Sequence, residues 1–137
     1  MKKLLPLAIL VTSCAPSSSI GILPDRAMPI CSVLAHASEQ NGRAIFVKGI
    51  YRHTPHGGLF FGRECNGDFV RLRNAPTYVP NPKAETDLQS ALGRDNSRAI
   101  DVSYRAVFHV LPTLQCAESY CFRFQLEVIE LVSADAE

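Results

Sequence analysis

Two histidines, His53 and His56, flank a Thr-Pro dipeptide in a segment rich in turn residues. Imidazole nitrogens are common metal ligands, and a turn can bring two rings to the same ion. Glu64 or His109 would be available as further ligands, although no fixed spacing links them to this pair. The sequence therefore raises the hypothesis of a zinc or copper site, and the alternative is a pair of solvated histidines in an exposed turn.

Phe69, Arg71 and Arg73 alternate with Val70 and Leu72. In a β-strand this alternation puts the first three side chains on one face and the two aliphatic ones on the other. Arginines on such a face could bind an anion or an acidic sugar. Solvated or salt-bridged arginines on a half-exposed strand are the alternative.

The sequence contains none of the common catalytic or nucleotide-binding motifs. It has no Gly-x-Ser-x-Gly elbow, no phosphate-cradling glycine loop, no His-Glu-x-x-His and no dinucleotide fingerprint. Carboxylates such as Asp68, Asp101 and Glu130 have no spacing that indicates a paired acid and base. We therefore expect that the chain is not an enzyme and uses no cofactor.

The first residues have the order of an export signal. Lys2 and Lys3 precede an apolar run over 4–11 that is too short to span a membrane as a helix. The run ends in Val11-Thr12-Ser13-Cys14, which resembles the lipobox at which bacterial lipoproteins are cleaved and lipidated. The resemblance implies a signal peptide over 1–13 and a lipid on Cys14. An ordinary signal peptide that leaves Cys14 as a free thiol is the alternative.

The other four cysteines lie in the body of the chain, at Cys31, Cys65, Cys116 and Cys121. An even set in an exported chain indicates two disulfides, for which three pairings are possible. Because Cys116 and Cys121 are close together beside two strand-like runs, we favour a local bridge across a hairpin, which leaves Cys31 to pair with Cys65. A zinc site is the rival interpretation, but neither pair has Cys-x-x-Cys spacing.

Apolar periodicity and turn residues predict the secondary structure. A tether over 14–29 is expected to precede one folded domain over 30–133, with the order helix, three strands, helix and two strands. The predicted helices cover 32–40 and a segment that begins at Pro82, is capped by Asn81 and ends before Gly93. The predicted strands are 43–53, 59–63, 69–73, 100–111 and 122–132.

Five strands with a helix between the third and the fourth are the layout of an OB-fold barrel. Three stretches are similar to small exported OB-like bacterial proteins of unassigned function. They are Cys31 to Arg43, Val47-Lys48-Gly49-Ile50-Tyr51, and Gly58-Leu59-Phe60 before Cys65, together about a third of the chain. The layout predicts a mainly β fold with two short helices and a five-stranded OB-like barrel, and the resemblance carries no catalytic residues with it. The strand that carries Arg71 and Arg73 then belongs to the ligand face of that fold.

The charge balance argues against a nucleic-acid partner, because 14 basic residues nearly offset 13 acidic ones. Ala15 follows Cys14 where inner-membrane lipoproteins carry aspartate, and this resemblance favours an outer membrane, facing the periplasm. We therefore expect a non-catalytic envelope lipoprotein, held in the membrane by its lipid. Its OB-like domain would bind an envelope protein, a glycan or a small anionic ligand. A periplasmic metal-binding protein using His53 and His56 is the alternative.

Overall fold

The computed structural model describes residues 25–55, 57–65, 68–93, 98–117 and 119–136. The predicted signal peptide, the lipobox and most of the tether lie outside this range. The described part is mainly β, with 56% of its residues in strands, as the sequence predicts. Its strands are β1 (Met28–Pro29), β2 (Ala44–Thr54), β3 (Gly57–Phe61), β4 (Val70–Asn74), β5 (Ala99–Ala117) and β6 (Tyr120–Ala136). Its helices are α1 (Ile30–Ala35), α2 (Ala37–Gln40) and α3 (Pro82–Leu92).

The strands form one sheet in the order β1-β2-β3-β4-β6-β5, and β2 also pairs with β5. The order therefore returns on itself, and each of the five longer strands in the described chain pairs with two of the other four, while β2 also pairs with β1. The β4–β6 and β1–β2 pairs are parallel, whereas the other pairs are antiparallel. This ring fixes which side chains face inward and which face solvent.

The inward faces of the strands supply the core, and they follow the predicted alternation. In β5 and β6 the buried side chains include Val102, Tyr104, Ala106, Phe108, Phe122, Phe124, Leu126 and Val128. Phe60 from β3 is fully buried among them, with its ring 5.4 Å from that of Tyr104 in an edge-to-face contact. Truncating a side chain in such a position costs about 3–5 kcal/mol, so Phe60 contributes strongly to stability.

The predicted helix over 32–40 is divided in two. It begins at Ile30, directly after Pro29, and α1 ends at Ala35, because the backbone of His36 (φ −124°, ψ 38°) is not helical. Ile30 and Val33 of α1 are buried, whereas no residue of α2 is fully buried and only its Ala37 packs against the edge of the core. The apolar periodicity predicted one continuous helix because it contains no signal for the non-helical backbone at His36.

Helix α3 begins and ends where the sequence predicts. The Asn81 side chain accepts a hydrogen bond from the backbone N–H of Ala84 at 3.3 Å, Pro82 occupies the first turn, and Gly93 follows at φ 56°. The helix packs mainly against β6. It lies between β4 and β5 along the chain, as expected.

Several strand boundaries differ from the prediction. β5 continues to Ala117 and β6 begins already at Tyr120, so both strands are longer than predicted. A register shift between Val110 and Gln115 breaks the alternation of side chains there, although the two strands remain paired. β1 was not predicted, because its two residues, in the range assigned to the tether, are too few to show a period.

Two disulfides are present in the described part of the chain, and both have the predicted pairing. Cys31 and Cys65 have Cα atoms 5.5 Å apart, and Cys116 and Cys121 have Cα atoms 4.0 Å apart. The first joins α1 to the loop after β3, and the second closes the end of the β5–β6 hairpin. Within the described ranges, the helices are too short or too polar to serve as a membrane span.

Candidate functional site

Arg71 and Arg73 lie on the outer face of β4, opposite the fully buried Val70. Residues paired across antiparallel strands share a face. Leu59 on β3 pairs with Arg71 on one side and with Arg52 on the other. The register therefore places Arg52 in the same row as Arg71, although the two are 19 positions apart in the sequence.

A row of aromatic rings borders these arginines. Phe61 and Phe69 are in edge-to-face contact with centroids 5.6 Å apart, and Phe69 and Tyr120 are in the same arrangement at 5.4 Å. The Arg52 guanidinium is 5.6 Å from the centroid of Phe61, which is a cation–π distance. We call this surface the arginine–aromatic face. Its members are Arg52, Phe61, Phe69, Arg71, Arg73 and Tyr120.

The end of the β5–β6 hairpin contacts this face. Arg71 Nη1 donates a hydrogen bond to Oε1 of Gln115 at 2.8 Å. The Cys116–Cys121 bridge lies immediately beyond Gln115 and joins the two strands of the hairpin at this point. The disulfide thus supports the position of the hairpin partner of Arg71.

Leu59 and Phe122 are buried close to this face, at 3% and 8% exposure, yet they are not part of the central core cluster. Both line a small cavity of about 160 Å³ together with Arg71, Arg73 and Tyr120. The hairpin end therefore covers an apolar spot beside the arginines. A ligand here would contact charged, aromatic and aliphatic groups at once.

The charge on this face is not neutralised locally. Partial burial, followed by the neighbouring charge of Arg73, lowers the pKa of Arg71. Within the described ranges no carboxylate lies within 4.0 Å of either guanidinium. Glu127 is the register partner of Arg73 on β6, but its Oε1 atom lies 3.4 Å from His109 Nε2. Two like charges held close together in this way favour an anion.

The predicted metal pair is only partly within the described structure. His53 lies at the end of β2, with its Nδ1 atom 3.2 Å from the Tyr51 hydroxyl, and His56 is outside the described residues. The described residues contain no group of three or more His, Cys, Asp or Glu side chains that could hold a metal ion. Glu64 and His109 are therefore not brought together with His53, and a site using His56 stays a prediction.

Two larger grooves were not foreseen from the sequence. One, of about 740 Å³, lies beside the N-terminal segment and is lined by Lys48, Asp101 and Asp135. The other, of about 790 Å³, lies between α3 and the sheet. Both depend on how separate elements meet, and no motif in the sequence marks them.

No protein family model, no curated protein and no solved structure matches this chain.

Proposed function

We propose that this chain is a lipid-anchored envelope protein whose OB-like barrel binds an acidic glycan on the arginine–aromatic face. The observation that carries the proposal is the pair Arg71 and Arg73, which are held together beside aromatic rings without a described carboxylate partner. The anchor rests on the resemblance of Val11-Thr12-Ser13-Cys14 to a lipobox, and the binding role is non-catalytic.

Strand order supports the OB-like barrel. In chain order, β2 to β6 correspond to strands one to five of that fold, and α3 lies between the third and the fourth. The strands are arranged in the ring β2-β3-β4-β6-β5, in which β4 and β6 are parallel. OB-folds bind ligands on the face of their second and third strands, flanked by the loops after the first and fourth strands. Here those parts are β3, β4, the turn after Thr54 and the β5–β6 hairpin, which together carry most of the arginine–aromatic face.

An acidic glycan is the ligand class that fits best. OB-fold faces bind oligonucleotides and oligosaccharides, and the balanced charge and export signal of this chain argue against the former. Guanidinium groups form paired hydrogen bonds with carboxylates, whereas Phe69 and Tyr120 offer apolar ring surfaces. A carboxylate-bearing sugar chain uses both features.

Calorimetry on the mature chain in lipid nanodiscs tests the proposal, with galacturonate oligomers as the probe and neutral galactose oligomers for comparison. The variant Arg71→Gln should weaken binding about tenfold, since a hydrogen bond to a charged group is worth about 1.5–3 kcal/mol. Arg43→Gln is the matched control. It removes one exposed charge, at a point about 30 Å from Arg52 along β2 at 3.3 Å per residue.

Two results would count against the glycan proposal. One is equal binding of the charged and the neutral oligomers. The other is a loss in Arg43→Gln as large as that in Arg71→Gln, because it would indicate non-specific attraction by the total charge.

A further inference from the structure

The groove between α3 and the sheet has the chemistry of a second binding site. Its volume is about 790 Å³. The apolar part of its lining is formed by Leu88 of α3 with Val128 and Leu131 of β6. The polar side chains that matter most are Tyr78, Glu85 and Tyr104. The groove is separate from the arginine–aromatic face and shares no residue with it.

The hydroxyl of Tyr104 is a second polar group in this groove. The residue is only 5% exposed and lines the groove, and its hydroxyl makes no hydrogen bond to another described residue. Burial, and then the proximity of Tyr51 and Tyr78, raise its pKa, so the hydroxyl stays protonated at neutral pH. Because this oxygen is not fully enclosed, a ligand atom in the groove can reach it and form a hydrogen bond.

Carboxylates give this groove a negative character. The Tyr78 hydroxyl donates a hydrogen bond to Oε1 of Glu85 at 2.5 Å. Burial is the main reason that the pKa of Tyr78 is raised to about 12, and this hydrogen bond and the charges of Glu85 and Glu130 raise it further. Glu130 also accepts a hydrogen bond from Asn81 Nδ2 at 3.3 Å.

The lining of this groove contains no Lys or Arg side chain among the described residues. Arg105 is the register partner of Glu130, but its guanidinium lies 5.6 Å from the centroid of the Phe46 ring. Lys83 on α3 pairs with Asp87 at 2.9 Å on the exposed side of the helix. Glu85 is therefore the charged group that a ligand would meet in the groove.

We propose that this groove binds a small amphipathic primary amine. The ammonium has three donors and no acceptor. Glu85 and Tyr104 supply acceptor oxygens, and Leu88, Val128 and Leu131 contact the apolar body of the molecule. The site is independent of the proposed glycan site.

A ligand-observed fluorine NMR titration tests this site. The probe is 4-fluorophenethylamine, added to the full mature chain in nanodiscs, with empty nanodiscs measuring partition into lipid. The corresponding phenylethanol and phenylpropionate test the charge requirement. A ligand of this size is expected to bind with a Kd on the order of 1 mM. The propionate should bind about tenfold more weakly than the amine, because its carboxylate would face Glu85.

Three variants complete the test. Glu85→Gln should weaken amine binding about fivefold, and Tyr104→Phe, which removes only the hydroxyl, about threefold. Asp87→Asn is the control, because it removes a carboxylate from the exposed side of the same helix. The proposal is overturned by amine signals that match those of empty nanodiscs, by equal binding of the alcohol, or by an effect of Asp87→Asn as large as that of Glu85→Gln.

Discussion

The two disulfides should contribute unequally to stability, and the difference can be calculated from the loops they close. Cys31 and Cys65 are separated by 34 positions, and Cys116 and Cys121 by 5. In the chain-entropy model these loops correspond to about 3.8 and about 2.1 kcal/mol at 25 °C. Removing the first bridge should therefore cost about 1.7 kcal/mol more than removing the second.

Packing should increase this difference. Cys31 and Cys65 are half-buried, and Cys31 contacts the core cluster, whereas Cys116 and Cys121 are exposed. Replacing the first pair by alanine removes sulfur atoms from a packed site, which adds a cavity cost to the entropic one. The estimate of about 1.7 kcal/mol is thus a lower bound for the difference between the two variants.

Urea unfolding of the two double variants, Cys31→Ala/Cys65→Ala and Cys116→Ala/Cys121→Ala, measures this difference. Both should be compared with the parent chain under the same non-reducing conditions. Equal losses of unfolding free energy, or a larger loss for the 116–121 variant, would refute the reasoning. In that case strain or residual structure in the unfolded chain would outweigh loop length.

Three further predictions follow from local geometry. Gly62→Ala should cost about 1–3 kcal/mol in urea unfolding, because its Cβ would lie 2.2 Å from Cys31 Sγ, and the cost should shrink when both Cys31 and Cys65 are alanine. Asn81→Ala should cost about 1 kcal/mol through loss of the α3 cap, and an equal unfolding midpoint would contradict this. The pKa of Tyr78 is raised in the folded chain from 10.0 to about 12. The contribution of Tyr78 to the free energy of unfolding is therefore fully present below pH 10 and is lost as the pH rises from 10 to 12. Tyr78→Phe should make the urea midpoint fall less steeply between pH 10 and 12. If the midpoint falls as steeply as in the parent chain, Tyr78 is not the group responsible.

Much of the fold could be predicted because it rests on local patterns. Alternating apolar residues predicted β5 and β6, and Asn81, Pro82 and Gly93 predicted the ends of α3. The short spacing of Cys116 and Cys121 was enough to select their pairing, which determined the other bridge. These features depend on neighbours in the sequence, and they survive in the structure for that reason.

The candidate sites were less predictable because they depend on register and packing. Arg71 and Arg73 were expected on one face, but Arg52 joins them only because Leu59 pairs with both β2 and β4. Tyr120 joins because the hairpin continues beyond the register shift after Val110. The groove at Tyr104 arises where α3 meets the sheet, and no short motif encodes that meeting.

The most direct test of the account is the intact mass of the protein purified from membranes of its native host, measured before and after reduction. The compartment, the two disulfides and the choice of an envelope glycan all depend on export and anchoring. We expect an N-terminal peptide that begins at a lipidated Cys14, together with the bridges Cys31–Cys65 and Cys116–Cys121. An unmodified Cys14, or four free thiols in the domain, would contradict it.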